Sequence, residues 1–333
     1  MIKKSYRVSY WLSAILGLTL LSGCTTTTPH NDNQLRLSDV EPDSRQSIVT
    51  QAMTAEQNSQ FDKAIVLYAK ALKLQPSDED DATTTMTNTS IFYKIGLLEV
   101  RQGNVELARK AFGEVLKSEP THSAAQTQLG VIYLTQKNKQ DAMVLLTKAI
   151  ATDQLRLANQ SKSKDAYFAL DELSPLEAYM GLAVIHDLKN DHNKAMTLFK
   201  LILPITPQDP LLFTNIGYSY YLSGNFVEAE INFKKAIDLD MEFSRAWVDL
   251  GLVYVRKGMY TKALQTLKQV MPTEHAYNDI GYFLILEGRY REAEYFLERA
   301  IELSPSYFVK ANVNLENLKL HMNKDIDLAY SKE

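Results

Sequence analysis

The 333-residue chain has a single cysteine, Cys24, so it can form no intrachain disulfide and no cysteine-rich zinc site. Its six histidines show no HExxH pattern or other metal-ligand spacing. Cationic residues are not in excess. Lys and Arg number 36 against 40 Asp and Glu, and a net charge of -4 is too small and of the wrong sign for a nucleic-acid binder. The chain also lacks a phosphate-binding loop, a nucleophile elbow and paired carboxylates in a reactive context, so the expectation is no enzyme, no cofactor and no metal. Tryptophan occurs twice against eighteen tyrosines, which leaves tyrosine to supply most of the large amphipathic surface. What remains is an ordinary globular composition, 45% hydrophobic and 23% charged, in a chain long enough for about two compact domains or one extended array.

One apolar run opens the chain. Lys3, Lys4 and Arg7 precede Tyr10 to Leu20, a stretch shorter than the roughly 20 residues of a membrane span, and it ends in Leu21-Ser22-Gly23-Cys24. This ending resembles the bacterial lipobox. The resemblance implies a lipoprotein signal peptide over residues 1–23 and acylation of Cys24. Thr25, standing where an inner-membrane retention aspartate would be, implies the outer membrane and its periplasmic face. Burying acyl chains contributes about 0.8 kcal/mol per methylene, enough for several chains to anchor the protein durably. Residues 24–44, rich in Thr, Asn, Asp and Pro, cannot bury a core and read as a tether.

The rest of the chain repeats itself. Gly96 and Ala108 lie twelve apart, as do Gly130 and Ala142, Gly217 and Ala229, Gly251 and Ala263, and Gly281 and Ala293; Ala52/Ala64 and Ala183/Ala195 keep the spacing with alanine first. A large residue follows the second member by four: Tyr68, Phe112, Leu146, Phe199, Phe233, Leu267 and Leu297. Gly103, Gly224, Gly258 and Gly288 come seven after the first member, where a helix-ending turn favours a positive φ. Prolines close four copies, at Pro76, Pro120, Pro207 and Pro305. The first glycine is read as the place where the second helix approaches closely, with the later alanine filling the same seam.

The pattern resembles the tetratricopeptide repeat, a 34-residue helix-turn-helix. The resemblance implies an all-α, right-handed superhelical solenoid of about seven repeats over residues 45–307, starting at Arg45, Thr89, Ser123, Leu176, Pro210, Ser244 and Glu274. Insertions are expected near 78–88 and within 151–175. Repeat six is four residues short and turns at Met271-Pro272-Thr273. Residues 308–333 form a capping helix and tail; Phe308 to His321 begins like an eighth first helix, but Leu315 stands in the glycine place.

Two ionisable groups of residues read as solvated. His186, Asp187, Asp191 and His192 straddle an inter-helix turn, and Asp78 to Asp81 form an acidic run lacking the glycine and terminal glutamate of an EF-hand.

Family members bind partners on the inner face formed by their first helices. Carried over position by position, that face implies a protein-binding groove containing Tyr93, Arg101, Tyr218, Tyr221, Arg245, Arg256, Asn278 and Tyr282. The chaperone-binding members clamp a carboxylate with lysines and asparagines; of these residues only Asn278 matches that pattern. Tyrosines and a few arginines on an apolar floor suit an amphipathic helix or an apolar extended peptide.

A lipobox before such repeats is similar to outer-membrane lipoproteins that assemble envelope machines, above all the TadD-like lipoproteins of the tight-adherence (Flp) pilus system. The implied function is a scaffold assisting pilus or secretin assembly, held at the membrane by acyl chains on Cys24, with no nucleic-acid or small-molecule ligand. Two alternatives stay open: an NlpI-like adaptor for peptidoglycan enzymes, and a type IV pilus pilotin.

Overall fold

The structure is a computed structural model that describes residues 44–74, 86–159 and 167–330. The signal peptide, Cys24, nearly all of the tether, Pro76, the acidic run Asp78 to Asp81 and residues 331–333 lie outside the described residues, as do parts of both insertions. Every described element is a helix, in agreement with the all-α class read from the repeats.

The helices pair as hairpins. They are α1 (Arg45–Gln57) with α2 (Phe61–Ala71), α3 (Asn88–Arg101) with α4 (Val105–Ser118), and α5 (Ser123–Thr135) with α6 (Lys139–Ala158). Next come α7 (Leu176–Leu188) with α8 (His192–Ile202), α9 (Pro210–Leu222) with α10 (Phe226–Leu239), α11 (Ser244–Arg256) with α12 (Tyr260–Leu267), and α13 (Thr273–Leu286) with α14 (Tyr290–Leu303). α15 (Val309–Tyr330) closes the chain. Five first helices begin on the residue the repeat register names, and α3 and α13 begin one residue earlier. Local chemistry sets several of these starts. Ser44 and Thr87 accept the backbone N–H of Ser47 and Ser90 at 3.1 Å, and Asp209 accepts that of Leu211 at 2.8 Å ahead of Pro210 at the first helical position.

The seam between the two helices of a hairpin differs from the sequence reading in its partner. A Cβ on Gly96 would stand 2.5 Å from the Phe112 ring, and one on Gly130, Gly217, Gly251 or Gly281 would stand 2.6–2.9 Å from Leu146, Phe233, Leu267 or Leu297. The glycine therefore makes room mainly for the large side chain sixteen residues on, with the backbone carbonyl of the alanine a second neighbour in repeats five and seven. Those large residues are fully buried, and burying a phenylalanine side chain contributes up to roughly 3 kcal/mol.

The turn is the same in all seven repeats. Gly103, Gly224, Gly258 and Gly288 have φ between 71° and 84°, as their spacing predicts, and Ser59, Lys137 and Asn190 take the same place with φ of 58–63°. The following N–H reaches back to the carbonyl five residues earlier, as from Asn138 to Tyr133 at 2.9 Å, which satisfies an orphan helix-end acceptor.

Three irregularities have physical forms. α6 runs to 20 residues where α4, α10 and α14 have 14, so the second insertion begins as helix; Tyr179 on α7 donates its hydroxyl to Asp153 on that extension at 2.8 Å. α12 has only 8 residues. α15 runs to Tyr330, within the stretch read as capping helix and tail, burying Ala311 and Leu318 while Leu315 is half-buried.

The described chain divides into two compact units. One holds α1 to α6 and α7 through Gly181; the other holds α7 from Leu182 together with α8 to α15.

Candidate protein-binding face

First helices in each unit are tied to their neighbours by polar side chains at a recurring place. The sixth residue of one repeat bonds the second residue of the next first helix. Gln128 donates to Glu177 at 2.7 Å, Arg245 donates to Asn215 at 3.0 Å, and Lys310, second in α15, donates to Asp279 at 3.1 Å. Asn314 adds a bond to Asn278 at 2.9 Å. A variant of the same tie joins Lys94 on α3 to Glu56 on α1 at 3.0 Å. Sequence reasoning passed over Asn215, Asp249, Asp279 and Lys310, although a polar residue recurring at position six of apolar helices was visible in the repeats.

The expected groove residues fall into these surroundings. Tyr93 packs between the Phe112 ring and His122, at 5.7 and 5.1 Å, and burial with the nearby Glu177 charge raises its hydroxyl pKa. Arg101 is exposed, its guanidinium 5.6 Å above the Phe61 ring. Tyr218 and Tyr221 are brought together on α9 with ring centroids 5.6 Å apart, and Tyr221 also meets Phe226 at 5.7 Å. Both tyrosines are partly exposed. Arg245 lies between Asn215 and Asp249, whose carboxylate is 3.4 Å from its Nε; burial pushes the Asp249 carboxyl up to about 6, against the opposing pull of Arg245. Arg256 pairs with Glu287 at 3.1 Å and stands 5.9 Å from the Phe226 ring. Asn278 is fully buried, donating to Asp279 and accepting from Asn314, and Tyr282 is partly exposed beside Phe283. Tyr93 and Arg101 belong to the first unit, the other six to the second.

The histidine–aspartate turn differs from its solvated reading. Asp187 is buried; its Oδ1 takes hydrogen bonds from His192 Nδ1 and Ser219 Oγ, both at 2.8 Å, and its Oδ2 is buried with no hydrogen-bond partner. Burial raises the Asp187 pKa and lowers that of His186. The serine and the histidine both address the aspartate, which makes a structural tie between α7, α8 and α9 rather than a nucleophile–base pair.

Two sequence profiles, both described as tetratricopeptide repeat, match the chain: one over residues 93–156, the other over 46–78, 212–242, 244–271 and 274–307. Together they cover more than half of it. The chain belongs to the tetratricopeptide repeat family. Repeats of this family are protein-interaction scaffolds, and the chain is similar to curated members over parts of its length. It is 25% identical over 197 residues to a peroxisomal targeting signal receptor of Candida albicans, covering 52% of this chain and 33% of that one. The corresponding receptor of Saccharomyces cerevisiae is 22% identical over 258 residues, covering 69% and 40%. The chain thus spans only about a third to two fifths of these relatives. Among solved structures, a tetratricopeptide repeat protein from Parabacteroides merdae superposes with a TM-score of 0.56 at 15% identity, covering 84% of this chain and all of that one, which speaks for the fold alone.

Proposed function

We propose that the protein is a non-enzymatic scaffold that binds a protein partner on the first-helix face of repeats five to seven. In this reading it is anchored through acylated Cys24 to the periplasmic face of the outer membrane and assists Tad/Flp-type pilus or secretin assembly. The observation that carries the binding role is the Tyr218–Tyr221 pair, two touching and partly exposed rings on a first helix. Tyrosine offers large contact area at low entropic cost, and the polar ties beneath hold the face rigid before a partner arrives. Similarity to proteins named as targeting signal receptors supports recognition of a segment of another protein. The lipobox supports the anchoring.

The test is the Tyr218→Ala/Tyr221→Ala double variant, followed by cross-linking to secretin and other pilus components and by surface pilus output. Truncating such a hot spot costs about 2 kcal/mol or more, roughly thirtyfold in affinity. Capture and pilus output are expected to be lost, whereas Lys234→Ala, on the second helix α10, leaves both intact. A double variant that folds and still supports full assembly would remove this face from the reading. Cross-links to peptidoglycan hydrolases instead of secretin would replace the pilus role with that of a cell-wall adaptor.

A further inference from the structure

We propose that the outer face of α15 is a self-association surface, on which a second copy of this chain packs its own α15 antiparallel about a two-fold axis. The surface follows repeat seven, outside the tyrosine face, and rests neither on that reading nor on acylation of Cys24. Ala311 and Leu318 hold one side of α15 in the core, where the helix packs against α13 and α14. On the opposite side Val309, Val313 and Leu320 are 62%, 47% and 54% exposed. With Glu316 among them they occupy about 60° of arc at 3.6 residues per turn, which makes a stripe along the helix rather than scattered side chains.

A helix that ends a solenoid ordinarily keeps its outer face polar, because no further repeat covers it. The first repeat obeys this rule. The exposed side chains of α1 are Ser47, Thr50, Gln51, Thr54 and Gln57, with Met53 as the one apolar exception. α15 does not obey it, so its stripe calls for a cover, and the polar face of α1 offers no complement for head-to-tail growth. An isologous contact needs no second kind of patch. The stripe meets itself, and the assembly closes at two copies.

Charge sets the direction of packing. On other exposed helix faces, acidic and basic side chains three residues apart pair within the chain, as Arg109 with Glu106, Lys117 with Glu114 and Arg299 with Glu302. Glu316 and Lys319 have the same spacing and are both exposed, yet they make no ion pair among the described residues. Parallel packing would set Glu316 against Glu316 of the second copy. Antiparallel packing with Val313 opposite Leu320 of the second copy instead puts Glu316 and that copy's Lys319 on one side of the seam, about 3 Å apart along the axis. The two-fold axis makes this pair twice. The 22 residues of α15 give a seam about 33 Å long, which suits a concentration-dependent dimer rather than an obligate one. Such a dimer carries two tyrosine faces, and a partner with repeated subunits engages both at once.

The test is sedimentation equilibrium of the full-length chain carrying Cys24→Ser, over a concentration series, with the melting temperature recorded for each variant. A monomer–dimer equilibrium is expected. Val313→Lys/Leu320→Lys should weaken it by about thirtyfold or more at an unchanged melting temperature, since both side chains are exposed in the single chain. Glu316→Lys and Lys319→Glu should each weaken self-association by about threefold or more, because each sets like charges across the seam twice. An equimolar mixture of those two variants should form a heterodimer as well as wild type pairs with itself, an outcome that neither a structural role nor a different partner produces. A monomer at every concentration, wild-type association in Val313→Lys/Leu320→Lys, or a mixture no better than its components would each overturn the pairing. Association that is equal in all variants would also overturn it and would place the contact elsewhere, the apolar run from Tyr10 to Leu20 included.

Discussion

Ser219 on α9 donates its hydroxyl to Asp187 on α7 at 2.8 Å, and this bond ties repeat five to a carboxylate buried in repeat four. Removing the hydroxyl leaves Asp187 with His192 as its remaining donor. Ser219→Ala should lower stability by about 1.5–3 kcal/mol, the range for a hydrogen bond to a charged group, as measured by urea unfolding. The pH dependence has a definite sign. Burial raises the folded pKa of Asp187 above its unfolded value, so the folded state binds more protons in the interval between them. This group's contribution to stability is present below the unfolded pKa and declines as pH rises through the folded one. Asp187→Asn should flatten that decline in thermal melts. A slope unchanged by the substitution would show that another group sets it.

Gly251 faces Leu267, and a Cβ there would lie 2.7 Å from its Cδ2. Gly251→Ala should cost about 1–3 kcal/mol by overpacking. Repeats one and four carry Ala52 and Ala183 in this place, against Tyr68 and Phe199, so the seam can accommodate alanine when the large partner is placed to suit it. Adding Leu267→Val to Gly251→Ala should therefore recover part of the loss, a coupling read by a double-mutant cycle.

Lys137 holds φ of 63° at the turn where four other repeats place glycine. Lys137→Gly should raise stability by about 1 kcal/mol through relief of backbone strain, and Gly258→Ala should lower it by a similar amount. Chemical denaturation of both variants checks the pair; matching signs would contradict the turn assignment.

Cys24→Ser addresses the proposed anchor. The variant should carry no acyl group and leave the outer-membrane fraction, as followed by mass spectrometry of the purified protein and by membrane fractionation. Normally processed variant recovered in outer membranes would end the lipoprotein reading.

The repeat register, helix order and turn positions were legible in the sequence because each rests on short-range chemistry. Glycine is needed where Phe112 or Leu267 presses on a backbone, and a residue with positive φ is needed seven places later. Even the departures kept the period, so Ser59, Lys137 and Asn190 could be placed once the spacing was known. The binding residues were only half legible. Counting along a helix places Tyr218 and Tyr221 three apart, hence on one face, but only packing between repeats shows what a charged residue faces. Arg245 and Arg101 look alike in sequence. The tertiary structure sets Arg245 between Asn215 and Asp249, and leaves Arg101 over Phe61 at the edge of a cavity. Asp187 reads as a turn residue, yet α9 arrives from 32 residues away to bury and bond it. Local periodicity determined the fold of this protein; which polar groups are occupied was decided only by contacts between repeats, because a side chain's partner on a neighbouring helix has no fixed distance along the chain.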